Sequence, residues 1–363
     1  MSTKESLTEA DLEILTRLRE KEAGWITWEE FASLATGKDS KERLARLRQA
    51  GYEFEEHPSY GLRLIEVPER LIAEEISFRL ETEVIGRRII TLGEITSTMD
   101  VARGLASQGG EEGLVVFAEF QGAGRGRLGR RWVSLPHKDL LFSVILRPAA
   151  PRAAGPVKGS ASNGAGDHLL TITAAVAVAR CIREAEGLQG LIRWPNDVII
   201  KEKKVAGMVV EGSFGAQGPS GLPGPTRTGR GQGDYGNFYI LGVGINVNTP
   251  EQETPERLKA TSTTLRVEKG AALDRTLLAR KMLKYLDHWY LISQANEVEE
   301  IGRAWRDLSS ILGKRVRLLE EGKEFAGRVL DLSPEMGIML ELDSGAQRLF
   351  QSQRVTLLES TRL

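Results

Sequence analysis

Over the first 65 residues the apolar positions recur at helical spacing three times and then begin to alternate. Leu12, Leu15 and Leu18, then Phe31 and Leu34, then Leu44 and Leu47, supply one apolar face per helix. Thr8 with Asp11 and Thr27 with Glu30 form S/T-x-x-[DE] starts for the first two helices, and Asp39 and Ser40 stand where a third needs its cap. Gly51 ends the third helix. The two short runs of "YEFEEHPSYGLRLI" around Pro-Ser then predict a β-hairpin. Three helices and a hairpin predict a winged helix-turn-helix over residues 1–66.

From about residue 85 to 306 the period switches repeatedly between helix and strand. "RIITLGEITSTMDVARGLA" reads as strand, turn and helix, with Thr96, Ser97 and Thr98 all able to cap, and "GLVVFAEF" (113–120) reads as a strand. "LLTITAAVAVARCIREA" (169–185) is an apolar helix. "LIRW", "DVIIK", "KVAGMVVEG" and "FYILGVGINVN" are strands, the middle two joined as a hairpin across Glu202 and Lys203. This alternation predicts an α+β domain on a mixed sheet. Residues 310–360 are short alternating runs parted by Glu-Gly, Ser-Pro and Ser-Gly turns, which predicts a small SH3-like β-barrel.

Two stretches follow neither period. Residues 151–168 and 213–237 are rich in Gly, Pro and Ser and poor in apolar residues, too few to offset the entropy of ordering, so both are expected to be flexible insertions in the 85–306 domain. The remaining composition is that of a globular chain: 363 residues, 41% hydrophobic. Forty-nine Lys and Arg against fifty Asp and Glu leave a net charge of −1, so no global field draws the protein to nucleic acid or membrane, and any anion site is local. A single cysteine, Cys181, excludes an internal disulfide, and four scattered histidines have no zinc spacing. The start of the chain is polar and acidic, and no apolar run nears the length of a membrane span, so a cytoplasmic location is expected.

Against this neutral background "GAGRGRLGRRW" (122–132) stands out, with four arginines and four glycines in eleven residues. Gly124, Gly126 and Gly129 satisfy G-x-G-x-x-G, but the dinucleotide fingerprint needs a helix next, and "RRWVSLPHKDLLFSVIL" has Pro136 and β-formers there. RNA-binding tracts are repetitive, whereas this loop occurs once between two apolar strands. An anion-binding loop is the remaining reading. Guanidinium contacts phosphate in pairs of hydrogen bonds, and glycine lets backbone fold over a ligand.

Four stretches fall in order: "TSTMD" (96–100), "QGAGRGRLGRRW" (121–132), "RWPNDVIIKEKKVAGMVVEG" (193–212) and "GVGINVN" (242–248). With the predicted winged helix before them and the barrel after, they resemble the bifunctional biotin protein ligase and biotin operon repressor family. The resemblance covers nearly the whole chain apart from the two insertions. It implies a central domain similar to the class II aminoacyl-tRNA synthetases. It also implies ATP-dependent activation of biotin to biotinyl-5'-AMP, with Mg2+, followed by transfer to a lysine of a biotin carboxyl carrier protein. Cofactors such as zinc, haem or flavin are not expected. Membrane partners are not expected either, whereas operator DNA and a ligand-favoured homodimer are.

Site residues carry over one at a time. Arg127 and Lys204 are the implied catalytic pair, Lys204 meeting the ligand carboxylate and α-phosphate as a point charge. Ser97, Thr98, Met99, Gln121, Arg125, Gly126 and Gly207 are implied to join them around biotin and its adenylate. Met99 departs from the family's usual Asn and lacks a side-chain donor. On a regular strand Lys204 and Gly207 would lie on opposite faces. Asn196, Asp197 and Asn246 are implied near ATP, with Asp197 a candidate Mg2+ ligand; a plain turn role for Pro-Asn-Asp stays open. Lys41, Arg43, Arg46 and Arg48 on the third helix are the candidate DNA contacts. Residues 1–65, however, hold ten Lys and Arg against thirteen Asp and Glu, an unfavourable balance for a phosphate backbone. A lipoate- or octanoate-type ligase and a non-catalytic, small-molecule-sensing DNA-binding regulator are the alternatives.

Overall fold

The computed structural model describes residues 7–21, 24–35, 40–148, 164–213, 237–334, 336–351 and 355–361. The chain divides into two units, Met1–Leu80 and Glu81–Leu363. Among the described residues no helix is long and apolar enough to cross a membrane.

The first unit carries α1 (Glu9–Glu20), β1 (Trp25–Ile26), α2 (Trp28–Leu34), α3 (Ser40–Gln49), β2 (Glu53–His57), β3 (Gly61–Glu66) and α4 (Ala73–Ser77). The Thr8 side chain caps α1 while the Asp11 carboxylate receives the Thr8 N–H, a reciprocal capping box. Thr27 caps α2 through the Glu30 N–H. The expected faces meet: Leu15, Leu18, Phe31, Leu44 and Leu47 are buried together with Ile14, Ile26 and Leu62. Sequence periodicity missed the two-residue β1, which joins β3 as the outer strand of a three-stranded sheet.

The second unit begins with β4 (Arg88–Ile95), α5 (Thr98–Ala106), β5 (Leu114–Gln121), β6 (Leu140–Leu146) and α6 (Gly164–Arg180). It continues with β7 (Leu191–Arg193), β8 (Asp197–Ile200), β9 (Lys203–Ser213) and β10 (Phe238–Ile245). These strands form one seven-stranded mixed sheet in the order β4-β5-β6-β10-β9-β8-β7, with only β4 and β5 parallel. α6 is apolar on every side because it lies between β9 and the long helix α9, introduced below, and Ile172 and Ala174 through Ala179 are all buried. It starts five residues earlier than expected. Gly164–His168, assigned to the first insertion, form its opening turn, and the His168 side chain is buried against Trp305. The rest of both insertions lies outside the described residues, apart from Ser213, which ends β9, and Asn237. The β8–β9 turn falls on Lys201 and Glu202, one residue before its predicted place. Both residues have positive φ, 48° and 66°, as a two-residue type I′ hairpin turn demands.

Helices α7 (Glu256–Lys259), α8 (Leu265–Lys269), α9 (Arg275–Gln294) and α10 (Val298–Leu308) follow. The chain closes with β11 (Arg315–Glu320), β12 (Lys323–Ser333), β13 (Gly337–Leu342), β14 (Gln347–Phe350) and β15 (Val355–Thr361). These five strands form an antiparallel sheet in the order β14-β13-β12-β11-β15. Val316, Leu318, Val329, Leu332, Ile338, Leu340 and Phe350 are buried within it.

Candidate active site

The site is floored by glycines on adjacent strands. Gly242 and Gly244 are two apart on β10 and so look to one face, and Gly244 pairs directly with Gly207 of β9. A Cβ on Gly242 would lie 2.8 Å from Met99 Sδ, and one on Gly244 would lie 2.6 Å from the Trp132 indole. Absence of these methyl groups lets Met99 and Trp132 rest directly on the sheet.

Lys204 stands on the same face, against the expectation of opposite faces. Asp197 pairs with Gly207 and Ile199 with Lys204, so β9 carries one residue more than β8 across this step, a β-bulge. Alternation along regular β8 puts Asp197 and Ile199 on one side, and their partners Gly207 and Lys204 therefore share it. The Lys204 ammonium accordingly lies 2.6 Å from Asp197 Oδ1, 5.3 Å from the Trp132 ring centre, and within 2.8 Å of where a Gly207 Cβ would be. Asn246 supports this stretch from behind. Its N–H bonds the Val205 carbonyl, and its amide nitrogen donates to Lys204 O and Thr263 O. It lines a neighbouring cavity with Asp139, Leu258 and Thr263, so its side-chain donors are engaged with backbone on the far side of Lys204.

The arginine loop leaves β5 and returns to β6 without a following helix, as Pro136 implied. Its base is tied by Gly122 N–H to Ile95 O at 2.8 Å and Trp132 N–H to Gly124 O at 2.9 Å. At its tip Arg127–Gly129 makes a single 3-10 turn. Arg127 donates to Asn196 Oδ1 at 3.1 Å, and the Asn196 amide nitrogen donates to Met208 O at 2.7 Å. Asn196, buried in the turn between β7 and β8, therefore positions Arg127 and anchors β9. Burial lowers the proton affinity of the Arg127 guanidinium; Asp197 opposes that shift and Arg130 adds to it. Guanidinium remains charged at any working pH.

Thr98 begins α5, and both its N–H and its hydroxyl donate to Gln121 Oε1, at 2.7 and 3.0 Å. Its hydroxyl also meets Ser143 Oγ at 2.8 Å. Ser97, at the N-cap position, makes no capping bond. Among the described residues its buried hydroxyl finds no hydrogen-bond partner, and neither does the Trp132 indole N–H. Two connected spaces result. Ser97, Thr98, Met99, Gln121, Arg125, Gly126, Arg127, Lys204 and Gly207 all line a narrow cleft of ≈40 Å3, roofed by Trp132. Gly126, Arg127, Asn196 and Lys204 also border a wider one of ≈600 Å3, which Arg130, Arg131, Arg193, Asp197 and β15 enclose.

Sequence reasoning brought these nine residues forward but passed over Trp132, Gly242 and Gly244. The Gly-x-Gly spacing in "GVGINVN" was an available sign of a bare strand face. On the third helix the structure overturns the expected positive face at Arg43. Arg43 is 7% exposed and donates to the fully buried Asp11 at 2.8 Å, and Arg46 binds the same carboxylate oxygen at 2.8 Å. Burial raises the Asp11 carboxyl, but bonds from Thr8, Arg46 and Arg43 outweigh it and hold the group below its ordinary range. The outermost arginine, Arg48, pairs with Glu56 at 2.5 Å. Arg43 and Arg46 pack the unit together, because α1 turns an acidic capping residue into the core.

Residues 92–221 match the Biotin/lipoate A/B protein ligase family. Over 309 residues the chain is 31% identical to the bifunctional ligase/repressor BirA of Bacillus subtilis, covering 85% of this chain and 86% of that protein. It is 29% identical over 260 residues to a biotin–[acetyl-CoA-carboxylase] ligase of Mycobacterium tuberculosis, covering 70% and 84%. The structure of a biotin protein ligase from Aquifex aeolicus in complex with biotin and ATP superposes with a TM-score of 0.59 at 27% identity, over 76% of this chain and all of that one. The fold is thus that of an enzyme of the biotin and lipoate ligase class. Within that class, the chain belongs to the biotin protein ligase family.

Proposed function

We propose that this protein activates biotin with ATP to biotinyl-5'-AMP and transfers the biotinyl group to one lysine of a biotin carboxyl carrier protein. The observation that carries the proposal is the convergence of nine residues from three distant segments on one cleft, where Arg127 and Lys204 face a glycine floor. Activation forms a bond between a biotin carboxylate oxygen and the α-phosphorus while the bond to pyrophosphate breaks. Charge grows on the phosphoryl oxygens, and Lys204, held at the cleft wall by Asp197, stabilises it. Arg127 sits on the loop over the same space and covers the mixed anhydride. The carrier lysine then attacks the acyl carbon and AMP departs with the bonding electrons. No protein nucleophile takes part; positioning and charge do the work.

The cleft is far smaller than the roughly 300–1,000 Å3 of ligand pockets because the Trp132 indole lies on Gly244. Entry of biotin therefore goes with displacement of that ring. Ser97, Thr98 and Gln121 supply polar groups for a ureido ring, and the apolar Met99, Met208 and Val243 suit the rest of the ligand. ATP extends into the wider space that Arg127, Asn196 and Lys204 border, and Asn246 acts from behind by holding the backbone of Lys204. Asp197, a hard oxygen donor beside that space, fits the Mg2+ that ATP carries and would hold it, and the ion would neutralise charge on the departing pyrophosphate. The named relatives are biotin rather than lipoate ligases, and the intact Arg127 and Lys204 weigh against a non-catalytic regulator.

The reading divides the chain into a winged helix-turn-helix (1–66), a ligase domain of class II synthetase type (85–306) and an SH3-like barrel (310–360). Repression of a biotin operon, by a ligand-favoured homodimer acting in the cytoplasm, is a second reading favoured by the similarity to a ligase/repressor. Biotin-dependent release of pyrophosphate from ATP tests the first reading, and its absence ends it. Biotinyl-AMP-dependent, salt-sensitive retention of DNA tests the second.

A further inference from the structure

Arg125 and Arg127 are two residues apart, yet their guanidinium groups are held by different parts of the protein. Arg127 is held by Asn196 at the turn between β7 and β8. Arg125 reaches 2.8 Å to Asp100 Oδ1 in the first turn of α5 and 3.6 Å to Glu211 Oε2 on β9. Glu211 also binds Arg103, one turn further along α5. Two carboxylates and two guanidiniums thus alternate across helix, loop and strand. Neither carboxylate lines the cleft, and their charge is the wrong sign to touch a carboxylate or phosphate ligand. These contacts join the Arg127–Asn196 bond, the backbone bonds at the loop's base and the Trp132 ring resting on Gly244 in tying the loop to the body of the domain.

We propose that Asp100 and Glu211 are positioning residues that latch the arginine loop over the cleft by gripping Arg125. The inference rests on the reading that this loop covers an activated acid, and it explains why one arginine of the pair faces away from Asn196. Asp100 is 50% exposed and Arg125 37%, so the latch is a screened surface network that biases the loop and still lets it open. Exposed pairs of this kind shift an equilibrium by up to about fivefold. Because the network is electrostatic and solvent-exposed, its hold weakens with ionic strength, unlike a packing contact.

The test uses the full chain and the variants Asp100→Asn, Glu211→Gln and Asp100→Glu. Trypsin cutting within residues 125–131 of the unliganded protein, followed by mass spectrometry, reads loop opening without any ligand. Cutting is expected to speed up about two- to fivefold in Asp100→Asn and Glu211→Gln at low salt, to be restored in Asp100→Glu, and to converge with wild type at high salt. Loss of preloaded biotinyl-AMP should accelerate in parallel while biotin-dependent pyrophosphate release in the first turnover stays at the wild-type rate. Unchanged cutting, or an acceleration that is the same at both salts, overturns the latch. A wild-type protein that releases no pyrophosphate sinks the ligase reading instead, and the cutting rates then still decide the latch.

Discussion

Replacing Lys204 by Ala removes the one ammonium that stands between the bare Gly207 backbone and the Trp132 ring, 2.6 Å from Asp197. The fold should barely register it. Both members of the pair are partly solvated, 31% and 25% exposed, and such pairs contribute only about 0–1 kcal/mol. Catalysis should register it strongly. Loss of one preorganised charge at a developing anion costs roughly 10²–10³ in rate, about 3–4 kcal/mol of barrier. Gly207→Ala provides a graded control: the new methyl would meet Lys204 Nζ at 2.8 Å and Cε at 2.9 Å, pushing the flexible ammonium aside without deleting it. Its loss of rate should be smaller than that of Lys204→Ala. Single-turnover pyrophosphate release with biotin and ATP measures the chemical step, and urea unfolding measures the fold. If Lys204→Ala forms adenylate within about threefold of wild type while staying folded, Lys204 is not the electrostatic stabiliser and the assignment fails.

Three other expectations follow from the same geometry. Arg127→Gly removes the bond to Asn196 and frees the loop tip, so biotinyl-AMP should escape and label lysines on bystander proteins; unaltered adenylate retention would contradict this. Arg43→Ala leaves the buried Asp11 carboxylate with Arg46 and Thr8 alone and should cost the first unit about 3 kcal/mol, read by urea unfolding; a loss below about 1 kcal/mol would show that the pair is dispensable. His168 is held down to about 4 by burial first and the Arg127 charge second, so the unfolded chain protonates before the folded one. Its share of stability is complete above pH 6.5 and drains away toward pH 4, on the order of 3 kcal/mol at most, so His168→Asn should flatten the wild-type pH dependence of unfolding across that window. Equal slopes in both proteins would refute the buried neutral imidazole.

Much of the secondary structure was legible because its signals are local. Thr8 with Asp11, the helical spacing of Leu15 and Leu18, and the short apolar, β-former-rich runs of β5 and β10 need only neighbours a few residues away. Pro136 likewise ruled out a helix after the glycines without reference to anything distant. Motif spelling singled out the nine cleft residues, yet it did not reveal how they meet. That Lys204 and Gly207 share a face depends on an extra residue in β9 measured against β8, and strand register is a property of a pair of strands, not of one. Arg43 read as a surface cation because α3 by itself is amphipathic, and only the packing of Asp11 from α1 against it turned a candidate DNA contact into a core ion pair. The start of α6 was obscured for a related reason: Gly-Ala-Gly-Asp-His has weak helix propensity and gains its helical turn where His168 packs on Trp305. Trp132 meets Gly244 only because the fold brings together a loop and a strand more than a hundred residues apart in the chain. Long-range packing of that kind has no periodic trace for a sequence reading to find.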